Sequence, residues 1–185
     1  MADGVAAERA ALQRLFALSD MERGVGWGRP GIDERWGVGR TRALLDLLGA
    51  PDRRMRCVLV AGTKGKGSTV AFLASVLHAA GVRAGMYTQP HLQSYRERVR
   101  VDGQAIGPDA FVGLVEELWP HVESWGHPEM GRPTTFEVTT ALALEHFARS
   151  GCEIALLEVG LGGRLDATNA AEPELSVITP ISRDH

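Results

Sequence analysis

The sequence predicts an α/β fold: a mostly parallel sheet flanked by helices. Three observations point there. Short apolar runs end in glycine or proline, as buried strands do. Segments of helical periodicity alternate with those runs. The runs "RCVLVAG", "EIALLEVG" and "LSVITP" are apolar without alternation, the mark of strands covered on both faces.

The elements follow in order. Residues 5–18 read as an amphipathic helix. The Gly-rich, charged stretch "SDMERGVGWGRPGIDERWG" is a loop, whose Trp27 and Trp36 are expected to pack on something. "GRTRALLDLLGAP" has helical spacing, with Gly49 and Pro51 as stops. "MRCVLVAG" is a strand, "STVAFLASVLHAAG" a helix stopped by Gly81, and "VRAGMYTQ" a second strand. "ERVRVDGQAIG" carries Asp102-Gly103, a hairpin signal. "PDAFVGLVEELWPHV" is a helix opened by Pro108. "TTFEVTTALALEHFARSG" is a helix with a Thr cap, and two further buried strands, "EIALLEVG" and "LSVITP", complete the chain.

Composition narrows the function. Twenty basic and 23 acidic residues leave a net charge of −3, which argues against a protein built to neutralise nucleic-acid phosphates. No apolar run approaches the ~20 residues of a membrane span. The N-terminus lacks the apolar centre of a signal peptide, so a cytoplasmic protein is expected. Cys57 and Cys152 each open an apolar run and read as buried free thiols.

The stretch "VLVAGTKGKGSTVAFLASVLHAAG" sets strand, glycine-rich turn and helix in succession. Backbone N–H groups of such a turn, with the positive end of the helix, hold anions. Lys66 is placed to add a charge for the outer phosphates, and Gly62, Gly65 and Gly67 permit close approach. The strict pattern G-x-x-x-x-G-K-[ST] fails: Val60 stands where the first glycine belongs, and Gly67 separates Lys66 from Ser68. The competing reading is a plain flexible turn. Glu158 ends an apolar strand on the side where open parallel sheets bind ligands. It is a candidate magnesium ligand together with His185, or else half of an ion pair with Arg164 or a nearby lysine. His78 reads as a helix-face histidine.

The segments "VAGTKGKGST", "YTQPHLQSYRERVRVDG", "TTFEVTTALAL", "LEVGLGGRLDATN" and "ITPISRDH" occur in the order and spacing of one family. From about Trp36 to His185 the chain resembles the folylpolyglutamate synthase/dihydrofolate synthase group of the Mur ligases. The resemblance implies the N-terminal, phosphate-loop ATPase domain of an ATP-dependent ligase, partial in residues 1–185, with the C-terminal glutamate-binding domain absent. The implied substrates are dihydropteroate or a reduced folate, and L-glutamate, joined through an acyl phosphate; the complete enzyme is expected to be a monomer. By the same likeness Gly62, Thr63, Lys64, Gly65, Lys66, Gly67 and Ser68 hold ATP, with Lys66, Glu158 and His185 as catalytic groups. Magnesium is assigned to Glu158, His185 and Gln89. Thr134, Thr135, Phe136 and Glu137, then Leu165, Asp166 and Ala167, are assigned to the pterin. Bland readings stand beside these: Phe136 as helix core, Thr134 and Glu137 as a capping box, and Arg96, Arg98 and Arg100 as a solvated strand face. Three departures stand out: Lys64 replaces the family's usual asparagine, Gln89 its usual serine, and Arg183 a smaller residue. The isolated chain is expected to be inactive; the alternatives are a non-catalytic nucleotide- or pterin-binding remnant and a phosphate-loop NTPase of another kind.

Overall fold

A computed structural model describes residues 2–20 and 37–182. Trp27, Trp36, Arg183 and His185, all singled out above, lie outside them. The helices are α1 (Ala2–Phe16), α2 (Gly37–Leu47), α3 (Lys66–Ala79), α4 (Pro108–Glu123) and α5 (Thr135–Arg149). The strands are β1 (Arg56–Ala61), β2 (Ala84–Tyr87), β3 (Val99–Val101), β4 (Gln104–Ala105), β5 (Ile154–Glu158) and β6 (Leu175–Ile178). They form one sheet of order β4-β3-β2-β5-β1-β6. β2, β5, β1 and β6 run parallel. The β3–β4 hairpin adds an antiparallel edge, so the sheet is mixed. Its turn is the expected one: Asp102 (φ 49°) and Gly103 (φ 81°) both take the left-handed conformation that a tight two-residue hairpin requires.

Strand periodicity decides what each face meets. Cys57 and Leu59 of β1, with Ala155 and Leu157 of β5, belong to the large core shared with α1, α2, α4 and α5. Val58 and Val60, with Ile154 and Leu156, face α3 on the other side. Glu158 follows Ile154 and Leu156 in that alternation, so the strand delivers its carboxylate to the α3 side. Gly85 and Tyr87 of β2 face α5: a Cβ on Gly85 would run into the Phe147 ring. α5 is buried along most of its length, a helix inserted into the core rather than laid upon it.

Two expectations need correction. β6 is largely exposed: Leu175 and Ile178 are 55 % and 67 % exposed, because the strand pairs only with β1, and of its side chains Val177 packs on the cluster beneath α3. Arg96, Arg98 and Arg100 do not form a solvated strand face. Tyr95–Arg98 is a 3₁₀ turn capped by Ser94 and Glu97. Arg96 pairs with Glu8 at 2.9 Å and donates to the Ile106 carbonyl. Arg98 is buried, donates to His91 Nδ1 and lies over the Tyr95 ring. Arg100 donates to the Glu97 carbonyl. These arginines knit α1, the turn and the hairpin together.

Candidate functional site: a phosphate loop beside an aromatic-walled cavity

The turn between β1 and α3 is shaped as an anion receptor. Gly65 precedes α3 in the left-handed conformation, contributes no side-chain cap, and no acid occupies the first turn. The first N–H groups of the helix therefore take no cap from the helix's own residues, and the positive end of its dipole is left to groups from elsewhere. Lys66 Nζ donates to the Gly62 carbonyl at 2.9 Å, which stations the ammonium over the turn. Gly62 sits at φ 132° and hard against Thr179, where a side chain has no room. The Thr63 hydroxyl exchanges hydrogen bonds with the Ser182 backbone at 3.1 Å, so it ties the turn to the segment after β6. Lys64 and Ser68 are exposed beside it.

The strict pattern fails at Gly67 for a visible reason. A Cβ at that position would lie 3.2 Å from Glu158 Oε2 and 3.6 Å from Oε1. The Glu158 carboxylate, 5 % exposed, occupies the space that a serine or threonine side chain would fill. Its Oε2 accepts the Gln89 N–H at 3.0 Å. Among the described residues no group of three or more His, Cys, Asp or Glu side chains gathers as a metal cage.

A cavity of about 420 Å³ opens nearby, walled by Gly37 and Arg40 of α2, by Thr134, Phe136 and Glu137 at the start of α5, and by the 161–167 loop. The Phe136 ring stacks on Tyr87 at 5.8 Å and presents an apolar wall. Thr134 and Glu137 do form the capping box, and they also line the cavity. Thr135 does not: its hydroxyl donates to the Leu15 carbonyl, and it docks α5 on α1. Leu165 and Ala167 also line the cavity.

Asp166 lines it too, but its oxygens are turned into the loop. Oδ2 accepts the Gly160 and Leu161 N–H groups, and Oδ1 accepts the Thr168 N–H and hydroxyl. Burial pushes its pKa up against the pull of those donors. One carboxylate thus fixes the "GLGGRLD" loop that roofs the cavity. Arg40 is the residue that the sequence reading missed. It is 1 % exposed and reaches Glu137 by a bidentate pair, Nε to Oε2 at 2.7 Å and Nη2 to Oε1 at 2.6 Å. Its Nη1 donates to the Met130 carbonyl at 2.7 Å. Burial raises the Glu137 pKa, and Arg40 opposes the rise. The available signal was spacing: Gly37, Arg40, Thr41, Leu44 and Leu45 are the buried stripe of α2, and an arginine in such a stripe demands a partner.

No protein-family model matches the chain. Individual relatives do. The dihydrofolate synthase/folylpolyglutamate synthase of Bacillus subtilis is 43 % identical over 159 residues, covering 85 % of this chain and 37 % of that protein. The Mycobacterium tuberculosis enzyme of the same name is 40 % identical over 168 residues, 83 % of this chain and 34 % of that one. The chain is homologous to the N-terminal domain of folylpolyglutamate/dihydrofolate synthases. Solved structures agree. Mycobacterium tuberculosis folylpolyglutamate synthase complexed with ADP superposes with a TM-score of 0.83 at 36 % identity, over 98 % of this chain and 38 % of that one. A folylpolyglutamate synthase–AMPPCP–folate complex gives 0.81 at 32 % identity, over 96 % and 41 %. The chain therefore spans well under half the length of the synthases it matches, and what it spans is their ATP-binding domain with its mixed, helix-flanked sheet. Among the described residues no helix is long and apolar enough to cross a membrane.

Proposed function

We propose that this domain is the nucleotide- and acceptor-binding part of an ATP-dependent amide ligase that adds L-glutamate to dihydropteroate or a reduced folate. The observation that carries the reading is adjacency. An uncapped helix N-terminus with Lys66 and a buried carboxylate lies beside a cavity with an aromatic wall, and Gln89 and Gly160 join the two. In the reaction an acceptor carboxylate oxygen attacks the γ-phosphorus of ATP and ADP departs. The glutamate amine then attacks the acyl carbon, phosphate departs and a proton is released. Such chemistry asks the protein for charge neutralisation and alignment rather than for a nucleophile. Lys66 and the first turn of α3 serve the phosphates, and Lys64 adds a second cation at the exposed rim. Phe136 supplies a flat face for a heterocycle. Asp166, with its lone pairs engaged, serves by holding the loop.

Magnesium fits the site by donor chemistry. Glu158 is a buried hard oxygen donor at the helix N-terminus, and a cation there would take further ligands from phosphate oxygens and water. When bound, it would neutralise charge on the transferred phosphoryl group. His185 is proposed as its second protein ligand. Support for the nucleotide and acceptor sites comes from the relatives whose structures carry ADP, or AMPPCP with folate.

Titration calorimetry of the 185-residue chain tests this. We expect saturable binding of Mg-ADP and of pteroate to the unmodified chain. Lys66→Ala should weaken Mg-ADP at least tenfold (about 1.4 kcal/mol) and leave pteroate binding and the far-UV spectrum unchanged. Equal Mg-ADP affinity in the variant, or no saturable pteroate binding by the unmodified chain, overturns the reading.

A further inference from the structure

Gln89 belongs to both halves of the site. Its backbone N–H holds Glu158 on the phosphate side. Its side chain, half-buried, reaches Gly160. A Cβ built on Gly160 would lie 3.0 Å from Gln89 Nε2, 3.0 Å from Phe136 Cζ and 3.1 Å from Asp166 Oδ2. Three groups from three separate segments thus converge on one point, and two of them line the cavity. The carboxamide thus stands beside two residues of the cavity wall, Phe136 and Asp166, while the backbone of the same residue touches Glu158.

We infer that Gln89 binds the acyl substrate, its carboxamide donating to the carboxylate or amide carbonyl of the acceptor where that molecule leaves the cavity for the phosphate loop. This rests on the ligase reading above. The chemistry favours it over a cation-ligand role. An acceptor whose carboxylate must leave the cavity for ATP has a protein carboxylate at each end of its path, Asp166 in the cavity wall and Glu158 beside Gly67. Asp166 is an acceptor with no donor to offer, and its oxygens already accept four hydrogen bonds. Lys66 is held over the turn by Gly62. An anionic group arriving at the junction needs a neutral donor with reach, and a glutamine supplies two N–H groups. One residue then couples the sites: its backbone sets Glu158 and its side chain sets the acceptor.

The test is calorimetric titration of the 185-residue chain and of Gln89→Ala and Gln89→Ser with three probes: pteroate, Mg-ADP, and manganese in the presence of ADP. Every residue at position 89 except proline keeps the N–H to Glu158, so the loop should survive both changes. Loss of one hydrogen bond to a charged group predicts a pteroate affinity lower by about tenfold in both variants. Affinities for Mg-ADP and for manganese should stay within about twofold. Unchanged pteroate binding in both variants overturns the inference. So does weaker manganese binding with pteroate binding kept, which would make the carboxamide a cation ligand. An unmodified chain that binds no pteroate overturns the ligase reading and this inference together; a chain that binds it while both variants bind equally well overturns only the role of Gln89.

Discussion

Replacing Arg40 by methionine tests the buried ion pair that joins α2 to α5. Arg40 and Glu137 form a salt bridge at 2.6 Å with side chains 2 % and 5 % exposed. The change removes both bonds to Glu137 and the bond to the Met130 carbonyl. Methionine fills most of the volume, so the cost is chiefly that of a carboxylate left buried with the Thr134 N–H as its remaining partner of those described above. Breaking a buried pair by removing one member costs about 3–5 kcal/mol. Domains have about 5–15 kcal/mol in all, so Arg40→Met should lose a large share of the stability at pH 7. The sign of the pH dependence follows from burial, which already raises the Glu137 pKa against the pull of Arg40. Without the arginine the folded pKa rises further. A carboxyl raised in the folded state stabilises it below the unfolded value of about 4.3 and loses that contribution as pH rises through the folded value. The deficit of Arg40→Met should therefore be larger at pH 7 than at pH 5. Adding Glu137→Gln removes the charge, keeps an acceptor for the Thr134 N–H, and should restore most of the loss. Urea unfolding at the two pH values, for both variants, measures this. A deficit under about 1 kcal/mol, a deficit independent of pH, or no rescue in the double variant would refute the reasoning.

Two further outcomes are expected. Gly67→Ala should divide stability from binding: alanine improves the first turn of α3 by up to about 1 kcal/mol, while its Cβ, 3.2 Å from Glu158 Oε2, displaces the carboxylate and weakens Mg-ADP by about tenfold. Calorimetry with a melting curve decides it, and a variant that gains in both would mark the turn as merely flexible. The Cys57 and Cys152 thiols are pushed up by burial, to about 12 and about 11. A thiol-exchange reagent at pH 8 should label neither in the folded chain and both in urea, and fast labelling of the folded chain would contradict the packing.

Much of this was legible because it is local. The Asp102-Gly103 turn, the Thr134–Glu137 capping box and the arrival of Glu158 at a strand end each depend on neighbours within a few residues, and period-two alternation even fixes the face on which Glu158 emerges. The failures are long-range. Arg40 and Glu137 are separated by 97 positions, and nothing in either neighbourhood names the other. Arg96, Arg98 and Arg100 show strand spacing, yet a capping box and three tertiary partners draw the first two into a turn. The apolar run of β6 looks buried, but burial depends on what lies beside it, and among the described strands only β1 pairs with it.

Asp166 and Gly160 show what sequence can and cannot say of a site. "LEVGLGGRLD" announces a special loop by its glycines, and the acid six residues after Gly160 reads naturally as a ligand-binding carboxylate. In the fold its four acceptor positions are spent on the loop itself. Gly160 is needed because Gln89, Phe136 and Asp166 press on the place where its side chain would be, just as Gly67 makes room for Glu158. Each glycine marks a point where site elements close on one another, and its spacing along the chain carries no record of which elements those are. A glycine-rich signature therefore reports that a site is tightly assembled. The identity of the groups that read the ligand comes from the packing, and here the packing turns attention from Asp166 to Gln89.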